Sequence, residues 1–265
     1  MGIVKRSFQC LNKRQRALNI LCGFKGIEEG SWAMERPIDE QAITGTLKKM
    51  GAALVGFADL SGFADDGLNT GVSIIVSLDA GVIRGIENGP TRAYFDLYHS
   101  ANRKLDTLAL ACSDMIKDFG YDSFAQTTDA VREFGVYQTR MPHKTVAVRS
   151  GLGWIGKSAL LVTREFGPAV RLTSVLTDAP LTAGIPIEES KCGGCTACAD
   201  ACPARAISGK LWSKDLFRDE FYDPLACRKK ARELAWKRIG KEITLCGKCI
   251  EVCPYTQRYL EGTCL

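Results

Sequence analysis

The sequence predicts an α+β protein: a layered α/β domain over residues 34–185, then a small cysteine-organised domain over residues 186–265. Three observations lead there. Between residues 34 and 185, apolar residues recur in turn at helical and at strand spacing. From Pro186 onward that periodicity gives way to cysteines at fixed intervals. Residues 1–33 follow neither pattern and form a basic extension, with six Lys/Arg against two Glu.

The elements follow in chain order. Ile38–Met50 is expected to be a helix. Ile38, Ala42, Ile43, Leu47 and Met50 make one apolar stripe between Pro37 and Gly51. Ala53–Ala58 and Val72–Leu78 have the length and apolarity of strands, separated by a Gly/Asp/Asn-rich loop. Thr91–Phe119 is the clearest helix. Tyr94, Leu97, Tyr98, Ala101, Leu105, Leu108, Cys112, Met115 and Phe119 recur at steps of three and four, with Thr91 as N-cap and Gly120 beyond the end. Cys112 lies on that stripe and reads as packing. Tyr121–Gln126 is a candidate strand and His143–Arg149 a short helix. Ala159–Thr163 and Val170–Thr177 are Val- and Leu-rich strand candidates. Strands alternating with helices imply a layered core.

The totals narrow the class. With 265 residues, 46% hydrophobic and 25% charged, the chain is ordinary for a globular protein. No run approaches the roughly 18 apolar residues of a membrane span, so no membrane association is expected. The net charge of +5, less the +4 of residues 1–33, leaves +1 on the body, which creates no electrostatic demand for nucleic acid. Twelve cysteines in a long chain, spaced as ligands, point to a reducing cytoplasm rather than to a disulfide framework.

The basic extension has the composition of a targeting arm, but it lacks an Arg-Arg pair, and Arg6 stands where myristoylation needs Ser or Thr. Glu28-Glu29-Gly30 must be encoded by a purine-rich run three codons before Met34. That is the layout of a bacterial ribosome-binding site, and the native start is expected at Met34.

The cysteines carry the chemistry. Cys192, Cys195, Cys198 and Cys202 form C-x2-C-x2-C-x3-C followed by Pro203. This is the bacterial ferredoxin run, in which three close thiolates grip one [4Fe–4S] cubane and the fourth serves the other. Cys246, Cys249 and Cys253-Pro254 repeat the ending, with Cys227 upstream. The exchange rule gives one cluster to Cys192, Cys195, Cys198 and Cys253, and the other to Cys202, Cys227, Cys246 and Cys249. Zinc is the competing ligand-set reading, but two zinc sites would not need the repeated C-x3-C-P ending. Residues 186–265 hold 14 Lys/Arg and 11 Asp/Glu, a balance of +3. Two oxidised clusters at about −2 each bring the domain to about −1. The basic stretch Arg228–Lys241 is either partial compensation on a solvated face or a dock for an acidic donor protein. Cys10, Cys22 and Cys264 have no ligand partners in the pattern.

Gly151-Leu-Gly-Trp-Ile-Gly-Lys157-Ser158 satisfies the phosphate-loop pattern G-x4-G-K-[ST] by letter. Its surroundings are inverted, with a helix before it and a strand after, and Trp154 fills the cradle. Nucleotide binding is therefore not expected. Gly151, Gly153 and Gly156 let backbone approach a flat ligand closely. Trp154 either stacks on that ligand or caps the core.

The segment His143–Lys157, then Ser158-Ala-Leu-Leu-Val162 and the cysteine set, resembles epoxyqueuosine reductase, a family related to the corrinoid reductive dehalogenases. The resemblance covers roughly residues 35–260. It implies a cobalamin between the α/β domain and the clusters, bound in part by Gly151, Gly153, Trp154, Gly156, Lys157 and Ser158. Electrons would pass from a reduced ferredoxin or flavodoxin-type donor through the clusters to cobalt, and on to a small-molecule substrate or another corrinoid protein. The family's catalytic acidic residue falls, by count, on Tyr137, which can still donate a proton or can simply be a strand residue. His143, one of two histidines, is a second proton-donor candidate or a helix-start residue. The family's helical-repeat domain, which helps to hold tRNA, has no counterpart in the twelve residues after Cys253, so tRNA is a doubtful substrate. A cobalamin-free electron-transfer protein and a corrinoid-reducing partner of another enzyme are the alternatives.

Overall fold

The computed structural model describes residues 37–63 and 67–262. The basic extension, its expected start at Met34, and Cys10, Cys22 and Cys264 lie outside them. Arg36–Leu265 is one compact unit.

Helix α1 (Glu40–Lys49) begins two residues later than its stripe suggests, because Asp39 takes the N-cap and accepts from the Ala42 N–H at 2.8 Å. Strands β1 (Leu54–Asp59) and β2 (Thr70–Ser77) pair antiparallel, Val55 opposite Ile74. A five-residue helix α2 (Ala80–Arg84), capped by Asp79, follows in a stretch to which the sequence pattern assigned no element. Helix α3 (Arg92–Asp118) has the expected ends, with Thr91 capping and Gly120 left-handed at φ +96°. Strand β3 (Ser123–Ala125) comes next. A small hairpin of β4 (Glu133–Phe134) and β5 (Gln138–Thr139) was not legible in the sequence. Helix α4 (His143–Arg149) matches its expected span.

The expected strand Ala159–Thr163 shortens to β7 (Leu161–Val162). It pairs with β6 (Trp154–Ile155) in a separate hairpin and not with the main sheet. A tight turn does this: the Gly156 N–H reaches the Leu160 carbonyl at 2.8 Å, and Ala159 takes φ +59°. Strand β8 (Val170–Thr177) closes the main sheet, whose order is β1-β2-β8-β3, antiparallel throughout.

Both faces of this sheet are covered, which is why β2 reads as a continuous apolar run and does not alternate. Val72, Ile74 and Val76 pack with Leu47 of α1 and Leu105, Leu108, Cys112 and Ile116 of α3. Ile75 faces Ala147 and Val148 of α4 on the other side, with Ile155 and Leu161 of the hairpin. Burial pushes the Cys112 thiol up to about 12, as suits a packing residue.

The cysteine-bearing part carries α5 (Ala197–Asp200), a 3₁₀ turn at Arg218–Glu220, α6 (Pro224–Ile239), α7 (Lys248–Glu251) and α8 (Pro254–Glu261). The change at residue 186 is one of pattern rather than of core. Leu245 and Leu260 belong to the cluster around α3, and Phe221 to the cluster around α4. Among the described residues no helix is long and apolar enough to cross a membrane.

Candidate functional site

Four of the eight spaced cysteines lie in or cap helices, and Cys192, Cys195, Cys202 and Cys246 lie in the connecting segments. Cys198 lies in α5, Cys227 in the first turns of α6, Cys249 in α7, and Cys253 caps α8 ahead of Pro254. Their sulfurs are hydrogen-bonded as cluster thiolates are. The Tyr255 and Thr256 N–H groups bond to Cys253 and the Lys248 N–H to Cys246. The Ala206 N–H reaches Cys202 at 3.4 Å. The Tyr222 hydroxyl bonds to Cys227, and burial first, then this bond, holds that phenol well above its usual range.

Mutual repulsion sorts the thiols into two groups. Cys198 feels Cys192, Cys253 and Cys195, and Cys253 feels Cys192 and Cys195. Cys246 feels Cys227 and Cys202, and Cys249 feels Cys246, Cys227, Cys198 and Cys202. The groups are therefore neighbours, with Cys249 facing Cys198. Burial raises the thiols of Cys227, Cys246, Cys249 and Cys253, and that of Cys198 to about 11. As free groups they would stay protonated at neutral pH, and bound metal would have to draw off the protons. Among the described residues no three His, Cys, Asp or Glu side chains converge on a single ion.

The glycine segment is occupied by the protein's own chain. A Cβ at Gly151 would lie 2.7 Å from the Ile185 carbonyl oxygen. One at Gly156 would lie 2.7 Å from Val162 Cγ2 and 3.6 Å from Cys192 Sγ. Trp154 is 1% exposed and packs edge-on against Tyr255, with its Nε1–H unpartnered. Of its two open readings, the core is what these contacts describe. Lys157 and Ser158 are buried, and Lys157 Nζ donates to the Cys195 carbonyl at 2.8 Å. None of Gly151, Gly153, Trp154, Gly156, Lys157 and Ser158 lines the cavity beside this segment; their neighbours Ile155 and Ala159 do.

That cavity has a volume of about 750 Å³. Its apolar wall is Val148, Ile155, Leu172, Trp212 and Phe221. Arg149, Arg171, Lys214 and Arg218 bring positive charge, against Glu188 and Asp219. Both sequence candidates line it, as does Lys144. Tyr137 occupies the β4–β5 turn in a left-handed conformation, φ +54°. Its carbonyl accepts from Arg218 Nη1 at 3.2 Å, and its ring lies under Arg228, 5.2 Å away. This long-range clamp holds a backbone conformation that a tyrosine alone disfavours.

His143 is held on one side. Gln126 Nε2 donates to Ser174 Oγ at 2.6 Å, and Ser174 Oγ meets His143 Nδ1 at 2.8 Å. Ser174, accepting from Gln126, has its own proton free to donate to Nδ1, an arrangement that places the imidazole proton on Nε2. Burial, reinforced by Arg171, lowers the imidazole to about 4, so at neutral pH it is uncharged. The expected proton donor is thus a hydrogen-bond donor in its resting form. Lys144 is the residue the sequence did not reveal. Its Nζ donates to the Ala159 carbonyl at 2.6 Å, and burial, then Arg218, lowers it to about 8. A lysine in the first turn of a helix gives no sign of this beyond its place next to His143.

Residues 191–256 match the family described as 4Fe-4S double cluster binding domain, a span that contains all eight cysteines. The chain is 38% identical over 117 residues to epoxyqueuosine reductase of Bacillus cereus, covering 42% of this chain and 28% of that one. It is 30% identical over 164 residues to epoxyqueuosine reductase of Lactococcus garvieae, covering 61% and 42%. Over these stretches the chain is similar to epoxyqueuosine reductases. It carries two [4Fe–4S] clusters. It spans less than half the length of either of these relatives. The fold is shared with catabolic reductive dehalogenase NpRdhA, at a TM-score of 0.65 and 18% identity over 84% of this chain and 34% of that one. It is also shared with an epoxyqueuosine reductase solved with an epoxyqueuosine-modified tRNA stem loop, at 0.53 and 21% over 82% and 65%.

Proposed function

We propose that the chain is a reductase in which two [4Fe–4S] clusters feed electrons to a cavity that binds cobalamin and substrate. One observation carries this reading. Ile155 lines the cavity, and the next residue, Gly156, abuts Cys192 Sγ. The cluster held by Cys192, Cys195, Cys198 and Cys253 then stands directly behind the cavity wall. The cluster held by Cys202, Cys227, Cys246 and Cys249 adjoins it through Cys198 and Cys249.

The cavity residues fit cobalamin. Val148, Ile155, Leu172, Trp212 and Phe221 suit a macrocycle face, and Arg149, Arg171, Lys214 and Arg218 suit the phosphate of its nucleotide tail. When bound, cobalamin supplies a low-potential cobalt that the protein need only orient and feed. Lys144 supplies the proton, because an ammonium lowered to about 8 is poised near neutral pH. Neutral His143 donates a hydrogen bond from Nε2 to the substrate oxygen or halogen. Tyr137, 37% exposed on the cavity rim, is a second proton source.

Electrons enter through α6. Cys227 lies in its first turns, while Lys229, Trp236 and Lys237 are exposed along it, Trp236 at 67%. Charge favours an acidic one-electron carrier of the reduced ferredoxin or flavodoxin type. The expectation that tRNA is a doubtful substrate is weakened, since one relative binds a modified tRNA stem loop. The cavity's cations accept that phosphate chemistry as readily as a small anion.

The test is anaerobic reconstitution followed by titration with cobalamin. About eight irons per chain are expected, as two clusters of four require. Corrin bands that shift and saturate near one equivalent support the reductase. Unshifted bands with full iron would instead make the chain a cobalamin-free electron-transfer protein. Turnover of an epoxyqueuosine-modified stem loop against that of a halogenated phenol then separates the substrate classes.

A further inference from the structure

The lysine of the glycine segment has no role in the cavity, and its position is unusual. Lys157 is 5% exposed, and its Nζ makes one hydrogen bond, to the Cys195 carbonyl. Among the described residues no carboxylate pairs with it. Burying an ammonium without a counter-ion is strongly unfavourable, because its hydration is lost with nothing to replace it. A fold that keeps one there has an anion to face it.

The surroundings identify that anion. The carbonyl that accepts from Lys157 belongs to a cysteine of the first group. Gly156, one residue earlier, abuts Cys192 Sγ. The same turn buries the Trp154 Nε1–H without a partner. One short hairpin thus brings a cation to the backbone of one first-group cysteine and sets its glycine against the sulfur of another. The second group is served differently. Lys248, the cation that acts on Cys246, is paired with Glu251 at 2.8 Å, and Cys227 has the neutral hydroxyl of Tyr222.

We infer that Lys157 is the buried counter-charge of the cluster on Cys192, Cys195, Cys198 and Cys253, and that it raises the reduction potential of that cluster selectively. The inference rests on the two-cluster ligand assignment above. A [4Fe–4S] cluster with four thiolates gains negative charge on reduction, so a fixed cation in a low-dielectric setting favours the reduced form. This makes Lys157 a positioning residue for electrons: it acts on the cluster, not on the substrate.

The test is a redox titration of the intact reconstituted protein, followed by electron paramagnetic resonance, with no substrate and no cobalamin. Iron content comes first: wild-type protein well short of eight irons overturns the ligand assignment independently of Lys157. A Cys195→Ser variant marks which signal belongs to the first cluster. In Lys157→Gln, which keeps a donor for the Cys195 carbonyl but removes the charge, the first cluster's oxidised-to-reduced ratio at a fixed potential should rise at least tenfold. That is a midpoint lower by about 59 mV for one electron. The second midpoint should stay in place, and Lys157→Arg should restore the first. If Lys157→Gln retains only the second cluster while Lys157→Arg holds both, the counter-charge is again supported. An unchanged first midpoint, an equal shift of both, or loss of both clusters overturns it.

Discussion

The two faces of the four-stranded sheet are built to different ends. On one, α1 and α3 lay Leu47, Leu105, Leu108, Cys112 and Ile116 against Val72, Ile74 and Val76 in a continuous apolar layer. On the other, short elements leave a cavity of about 750 Å³ and bury Lys157, Ser158 and Ser174 close to it. The first face is held by area removed from water. The second has a smaller apolar cluster around Ile75, Ala147 and Ile155, and adds hydrogen bonds and close backbone approaches. The larger apolar layer and the cavity thus lie on opposite sides of one sheet.

The sharpest way to break this contrast is to remove a cluster ligand. Cys253→Ala should halve the iron content, from about eight to about four per chain, and loosen α8. Far-ultraviolet dichroism of α3 should persist if the helical face stands on its own. Iron assay and dichroism on one sample decide it, and eight irons in the variant would contradict the ligand assignment.

Next in size is the proton supply. Lys144 is protonated below about 8 and loses its proton above that value. The reductive rate should therefore fall as pH rises through about 8. Lys144→Gln should lose about 10²–10⁴ in rate and that limb of the profile. A variant with an unchanged profile would remove Lys144 from the chemistry.

The helical face should behave in the opposite way. Leu108→Ala opens a hole in its fully packed layer and should cost about 2–5 kcal/mol of stability, read from urea unfolding. Iron content and cobalamin binding per folded molecule should not change. A loss of either would mean that the two faces are coupled.

The smallest effect is a pH dependence on the cavity side. His143 titrates near 4 when folded and near 6.5 when unfolded. Between those values the unfolded chain binds more protons, so stability rises with pH and is lost as pH falls from about 6.5 to 4. The full span is worth about 3 kcal/mol. His143→Gln should flatten its share, seen as a smaller difference in unfolding midpoint between pH 7 and pH 5 than in the wild type.

The same division governs what could be read in advance. The helical face was legible because its signals are local. Thr91 caps α3, Gly120 ends it, and the stripe between them repeats at the helical period. The hairpins β4–β5 and β6–β7 were not, since paired segments of two residues have no periodicity to detect. Val72–Leu78 was legible as a strand, but its antiparallel place between β1 and β8 was not.

By itself the sequence determined the α+β class, the long helix, the central strands and the eight-cysteine set, because spacing along the chain is what those features consist of. Only the tertiary structure decided that Lys157 meets Cys195, that Ser174 holds His143 and that Arg218 clamps Tyr137. Those partners stand 38, 31 and 81 residues apart. No local preference encodes such meetings. They exist because hydrophobic burial closes the sheet and the cysteine segment onto one another, and the polar groups trapped there must find partners or carry a function.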